Sequence, residues 1–496
     1  MLSYKPVSNR KQTSRLKVNE LKTDCELFAH LYIACQTRDG DLDEFFRHEN
    51  QPYPPSLSQQ GSLRLGSKSD LLPCLMSLSD SECPDISTLN VDTYVLDGSV
   101  IVQMSSPSGC STFEDYRSKI FLPTLLSYLK HASRVDVVFD VYLSDSLKSA
   151  CREKRGTGTR TRVLASTKIP SNWHEFLRVT ENKVELFRFL ADVCVTSATS
   201  TNHQILITKD ENVMCMSGDT DTTSIAPCSH EEADTRIFLH CLHASQCGSK
   251  NIAVRTVDTD VVVLAIHCFA LLNINELWIH FGTGKHARLI AAHTLSTALG
   301  ANRSAALPMF HALTGCDTVS CFFGKGKKSA WDAWKLYEDV TDAFISLSSP
   351  TTVIDPSLFA MLSRFIIIMY DPTSECSDLD VARKHMFTKR SKVLESLPPT
   401  SSAFMQHVKR AVHQTAHCWS QCLVKNPKHY DASDWGWIKD GDKWSPCWTT
   451  LPEVSDSSRE LIRCACKKSC TGRCKCAKAN LKCTALCHCD GECSRV

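Results

Sequence analysis

Ile252-Ala-Val-Arg-Thr-Val-Asp258-Thr-Asp260-Val-Val-Val-Leu264-Ala-Ile266 decides the fold class. Two apolar, β-branched runs, Ile252–Thr256 and Asp260–Ile266, meet at a pair of acids, and each reads as a buried strand. The signature recurs upstream. Thr93-Tyr-Val-Leu-Asp97 and Val135-Asp-Val-Val-Phe-Asp140 are short apolar runs that end in an acid. Gln204–Thr208 and Leu277–Phe281 add further strands. Ile120–His131, Glu231–His243, Lys285–Leu299 and Ala305–Leu313 carry apolar residues at helical spacing. Strands alternating with helices predict an α/β fold with a mainly parallel central sheet.

Around this core the chain divides into four parts. Residues 1–90 form an N-terminal region. Within it Lys17–Arg47 can hold helix, and Gln51–Asp80, rich in Ser, Pro, Gln and Gly, reads as linker. The α/β domain spans 91–345. Residues 346–455 read as a helical and then Trp-rich connection, where Trp419, Trp435, Trp437, Trp444 and Trp448 either pack a small core or offer faces for base stacking. Residues 456–496 form a Cys-rich tail.

Composition narrows the function classes. At 496 residues and 43% apolar the chain can bury a real core, which excludes wholesale disorder. A net charge of +2 excludes a globally basic protein, so any nucleic-acid surface is local. One such stretch is 148–168, with Lys148, Arg152, Lys154, Arg155, Arg160, Arg162 and Lys168 against Glu153. No apolar run approaches the length of a membrane span, so no membrane role is expected. The basic start (Lys5, Arg10, Lys11, Arg15, Lys17) lacks the apolar segment of a signal peptide. Cysteine is the outlier at 27 residues; scattered thiols without a secretory signal point to a reducing, intracellular setting.

Acids at the C-terminal ends of parallel strands face the crevice in which such sheets bind ligands. Asp97 and Asp140 end strands, Asp258 and Asp260 lie between two, Glu232 and Asp234 open a helix, and Asp317 follows one. Singly, each reads as a surface or capping residue. Together, converging carboxylates need cations, and Mg²⁺ or Mn²⁺ prefers oxygen ligands. Two such ions can activate water and stabilise the leaving oxygen of a phosphodiester.

In order, Val95-Leu-Asp97-Gly-Ser, Val137-Val-Phe-Asp140, Glu231-Glu-Ala-Asp234, Val257-Asp-Thr-Asp260-Val-Val-Val-Leu and His311-Ala-Leu-Thr-Gly-Cys-Asp317 resemble the five acidic motifs of the flap-endonuclease family of structure-specific 5′ nucleases, built on the PIN-like fold. The next segment, Phe323-Gly-Lys-Gly-Lys-Lys-Ser-Ala330, resembles that family's glycine-rich hairpin, whose amides and lysines grip duplex phosphates, usually with a K⁺ ion. The resemblance covers roughly 91–345. It departs in the long N-terminal region and in Asp234, where a Glu is usual. It implies that Asp97, Asp140, Glu232, Asp234, Asp258, Asp260 and Asp317 hold two Mg²⁺ or Mn²⁺ ions. It also implies that Gly324, Lys325, Gly326, Lys327 and Lys328 contact DNA, and that Lys154 and Arg155, where the family has its arch, stabilise charge near the scissile phosphate.

The tail places Cys464, Cys466, Cys470, Cys474, Cys476, Cys483, Cys487, Cys489 and Cys493 within 30 residues. Nine thiolates, three of them bridging, supply the twelve ligand positions of three tetrahedral Zn²⁺ ions; a disulfide knot is the alternative. The spacing resembles the tesmin-type CXC domain, a zinc-cluster DNA-binding module. Lys467, Lys468, Arg473 and Lys475 would then face DNA, although Gly472-Arg473 stands where many members have a tyrosine. His230, His240 and His243 could form a zinc site or simply satisfied packing. The expected protein is nuclear: a metal-dependent, structure-specific DNA endo- or exonuclease acting on branched or junction DNA, with RNA left open. The alternatives are an inactive nuclease-fold DNA- or chromatin-binding protein, with a mobile-element origin in view, and a phosphatase that uses Asp258-x-Asp260.

Overall fold

The two apolar runs that flank Asp258 adopt different structures. Residues 251–256 form a strand, as expected, but Thr259–Phe269 is a helix, which corrects the strand reading of 260–266. Asp258 is the helix cap: its side chain accepts from the Asp260 amide at 2.9 Å, and Asp260 sits in the first turn, where the helix dipole favours an acid. The run Val261–Ile266 is buried all round, so its β-branched residues settle by packing rather than by intrinsic preference.

The computed structural model describes residues 41–489 except 80–88, 143–145, 149–157, 194–202, 217–219, 352, 391–393, 442, 453–461, 467–469 and 471–473. The central sheet contains β1 (Thr93–Asp97), β2 (Arg134–Val138), β3 (Gln204–Lys209), β4 (Asn212–Cys215), β5 (Asn251–Thr256), β6 (Glu276–Phe281) and β7 (Arg288–Ala291), in the spatial order β4-β3-β2-β1-β5-β6-β7. The five inner strands run parallel, and β4 and β7 close the two edges antiparallel. From β1 the chain first builds outward through β2 and β3 and later returns to place β5 on the other side of β1. The crevice between β1 and β5 is therefore a topological switch point, where open α/β sheets bind ligands.

Side chains alternate across the sheet. Val95, Ile252 and Val254 enter one apolar layer, while Tyr94, Leu96 and Ala253 enter the other. The first layer is the larger and runs from Phe45 to Trp448. It includes α1 (Leu71–Met76), whereas α2 (Gly98–Met104), at the end of β1, puts Ile101 and Val102 into the second layer; α3 (Ala233–Gln246), α4 (Thr259–Phe269), α5 (Ala292–Leu313) and α6 (Lys327–Leu336) belong to the first. Four more helices, Val340–Leu347, Pro356–Tyr370, Leu379–Arg390 and Ser401–Val412, complete the helical extension.

Two further readings change, and one open reading is decided. The expected helix 285–299 begins with the edge strand β7 and turns helical only at Ala292; Gly300, at φ 75°, then kinks α5. The segment that composition reads as linker is folded onto the core: Leu57, Leu71, Leu72 and Leu75 are buried, and Ser58–Gln59 pairs with Ser62–Leu63. Trp419, Trp437 and Trp448 are core residues. Among the described residues no helix is long and apolar enough to cross a membrane.

Candidate metal centres

Three adjacent parallel strands aim acids at the switch point. Asp97 is the last residue of β1, Asp140 lies two residues beyond β2, and Asp258 two beyond β5. The chain turns sharply after β1, and a Cβ at Gly98 would meet Phe139 at 2.3 Å, so only glycine fits there. Asp140 ties two motifs together: it accepts from the Ala233 amide at 2.9 Å at the start of α3, and from Ser99 and Tyr142. That contact brings Glu232 and Asp234 beside the strand ends. Carboxylate oxygens of Asp234, Asp258 and Asp260 lie within 4.8 Å of one another.

Asp317 joins the group through a residue that the sequence reading missed. Lys68 Nζ lies 3.0 Å from Asp258 Oδ1, 3.0 Å from Asp260 Oδ2 and 3.0 Å from Asp317 Oδ1. A second ammonium, Lys148, lies 2.6 Å from Glu232 Oε2. Beneath them His311 donates to Asp260 Oδ1 at 2.9 Å.

The electrostatics show which carboxylates are compensated. Asp260 is buried, yet Lys68 and then His311 hold its carboxyl well below the usual range. Asp97, Asp234, Glu232 and Asp258 shift the opposite way. Burial, then Asp140, pushes Asp97 up to about 7. Burial, then Asp258, raises Asp234 well above its ordinary value. Burial raises Glu232 and Asp258, with Lys148 and Lys68 opposing. Two ammonium groups thus leave negative charge in excess. An oxygen-only, over-charged donor set suits a hard divalent cation.

The hairpin differs from the expected phosphate grip. Lys327 is buried, donating to the His311 carbonyl at 2.6 Å and to Thr314 Oγ1 at 2.9 Å, so it braces the α5–α6 junction instead of facing solvent. Lys325 lies over the Tyr370 ring. The amides of Cys321 and Phe323 donate to the carbonyls of Arg64 and Ser56, both at 2.8 Å. Gly324, Gly326 and Lys328 are exposed. Lys154 and Arg155 lie outside the described residues, and so do Lys467, Lys468, Arg473 and Cys493. His230, His240 and His243 are packing residues: His230 bonds to Thr235 and Val424, His243 to Arg134 and Asp221, and His240 to Asp136 through Nδ1, its Nε2 having no partner among the described residues.

In the tail, Cys464, Cys470, Cys483 and Cys489 bring their sulfurs together at separations of 3.5–3.8 Å. A tetrahedron with Zn–S bonds of about 2.3 Å has edges of roughly 3.8 Å, so this donor set fits a tetrahedral thiophilic ion. Two further quartets, Cys464/Cys474/Cys476/Cys483 and Cys464/Cys466/Cys470/Cys474, share residues with the first. The described tail cysteines are free thiols. Burial opposes ionisation of Cys474, but the Ala477 amide and neighbouring thiols pull it down to about 6, toward the thiolate that binds metal. Lys475 is exposed beside it. The tail can therefore hold metal ions, as can the acidic cluster. No protein-family model matches the chain, and no curated protein does either.

Proposed function

We propose that this protein is a metal-dependent nuclease of the flap-endonuclease type that hydrolyses phosphodiester bonds in branched or junction DNA, with a zinc-cluster tail that holds it on nucleic acid. The observation that carries the reading is the convergence of Asp97, Asp140, Asp234, Asp258 and Asp260 on the crevice between β1 and β5, where negative charge exceeds what Lys68 and Lys148 offset. Asp234, Asp258 and Asp260 would hold one ion most directly, with Asp97, Asp140, Glu232 and Asp317 completing the places for a second. When bound, Mg²⁺ or Mn²⁺ supplies Lewis acidity, making water acidic near neutral pH and offsetting charge on the phosphodiester.

The chain's own residues do the rest. His311 fixes the orientation of Asp260, and the Ala233 amide fixes Asp140. Lys148, paired with Glu232, offers positive charge beside the acids to a phosphate held there. Exposed Lys328 and Lys475 are the described cations placed to meet the DNA backbone. Such a substrate puts the protein in the nucleus.

The test incubates zinc-replete protein with end-labelled flap, bubble, duplex and single-stranded DNA, and the corresponding RNA, in Mg²⁺, Mn²⁺ or EDTA. Cleavage should require metal and vanish in Asp258→Asn/Asp260→Asn. Retained binding without cleavage on any substrate would assign a non-catalytic binding protein instead.

A further inference from the structure

Lys68 reaches the acidic cluster from a stretch of chain with unusual attachments. The stretch before it is clamped: Leu57 is buried, and the Ser56 and Arg64 carbonyls accept from the hairpin amides of Phe323 and Cys321. The Arg64 guanidinium stacks 4.8 Å over the Phe323 ring. The stretch after it is clamped as well, because Leu71, Leu72 and Leu75 of α1 are buried. Between the clamps, Leu65, Gly66, Ser67, Ser69 and Asp70 are all exposed. Lys68 alone turns inward. A cavity of about 210 Å³ lies under Gly66 and Ser67, bounded by Gly315, Cys321 and the hairpin. The segment spans this cavity, turns once through Lys68–Asp70 into α1, and reaches the acids through the Lys68 side chain.

That side chain is placed as a bound cation would be. One ammonium nitrogen contacts three carboxylates, each at 3.0 Å, and two of them, Asp258 and Asp260, belong to the carboxylate trio of the candidate metal centre. Lys68 contacts both oxygens of Asp258 and Oδ2 of Asp260, and His311 takes Oδ1 of Asp260, so a divalent ion drawing on these two carboxylates competes with the ammonium for the same oxygens. The ammonium carries one charge and a long flexible stem, whereas a divalent ion carries two and draws on more of the surrounding carboxylates.

Building on the metal-dependent reading above, we propose that the loop 65–70 is a gate: Lys68 occupies a cation place in the acidic cluster, and entry of a divalent ion expels it and lifts the loop. The anchored flanks keep Lys68 close, so it returns when the ion leaves.

The test titrates Mn²⁺ into the full, zinc-replete chain and follows free Mn²⁺ by electron paramagnetic resonance. Wild type, Lys68→Met, Lys68→Arg and Asp258→Asn/Asp260→Asn are compared. Hydrogen exchange of peptides covering 56–76 is measured with and without Mn²⁺. Lys68→Met should bind Mn²⁺ at least about tenfold more tightly than wild type. Lys68→Arg should stay near wild type, and the double Asn variant should lose the site. In wild type, Mn²⁺ should speed exchange in 65–70 and leave the sheet unchanged. Equal or weaker binding by Lys68→Met, or loop exchange indifferent to saturating Mn²⁺, overturns the gate while leaving the metal reading in place. Absence of Mn²⁺ binding in both wild type and Lys68→Met overturns both. If Lys68→Met does not fold, the wild-type exchange result decides.

Discussion

The imidazole of His311 donates from Nε2 to Oδ1 of Asp260 at 2.9 Å, on the side of the carboxylate turned away from Lys68. Burial, then Lys327, holds His311 down to about 4, so the ring is neutral at physiological pH. Its Nδ1 has no partner among the described residues, which agrees with a proton on Nε2. The bond fixes Asp260 as an outer-shell partner fixes a metal ligand. His311→Ala should weaken Mn²⁺ binding by about 10–100-fold. It should also lower stability by about 1–3 kcal/mol, through an unsatisfied buried acceptor. His311→Gln, which restores an N–H, should recover most of the affinity in the same titration. Unchanged binding by His311→Ala would remove His311 from the site.

A second buried group gives the fold its acid sensitivity. Asp136, in β2, receives two bonds from Arg134 at 2.7 and 2.6 Å and one from His240 at 2.7 Å. Burial would raise its carboxyl, but Arg134 and then His240 hold it well below the usual range. A folded-state value below the unfolded value of about 3.9 means the contribution is complete above that pH and is lost as pH falls below it. Asp136→Asn strands a buried guanidinium and should destabilise by about 3–5 kcal/mol at pH 7. Thermal melts from pH 7 to 3 should show the gap between wild type and variant narrowing below about pH 4. A gap that stays constant would show that the carboxylate is not the stabilising form.

The tail makes unequal demands on its cysteines. Cys464 belongs to all three sulfur quartets, whereas Cys489 belongs to one. Cys464→Ser should therefore retain less of the proposed zinc than Cys489→Ser, as read by a colorimetric chelator after denaturation. Stripping metal from the wild type should abolish order in the tail and leave the melting of the α/β body in place, because the tail forms its own small cluster. Equal zinc loss from the two variants would mean that the quartets do not share ligands as the geometry has them.

The inner sheet was legible because its five strands are short apolar runs bounded by acids or turns, and acids at strand ends are visible in one dimension. The run 260–266 was not, because a continuous apolar stretch is compatible with a buried strand or a buried helix, and only the capping role of Asp258 separates the two. Lys68 was hidden for a different reason. It lies in a Ser-, Pro- and Gly-rich stretch, and its partners are 190 positions or more away, a pairing that neither spacing nor composition encodes. Lys327 looked like a surface cation because the sequence shows a lysine beside glycines, but not that the helix it opens turns it toward His311. The tail's cysteines were legible because metal-ligand spacing is local.

The topology that puts the acidic cluster at the β1/β5 switch point also sets a timetable. Lys68, Asp97, Asp140, Asp258 and Asp317 emerge from the ribosome in that order, and the two earliest strand-end acids have no counterpart across the crevice until β5 has been made. A chain that stalls before Asp258 carries half a ring of carboxylates and nothing to close it. The cluster is therefore among the last parts of the α/β body to be completed, because its acids are far apart in the chain and meet only once β1 and β5 are paired.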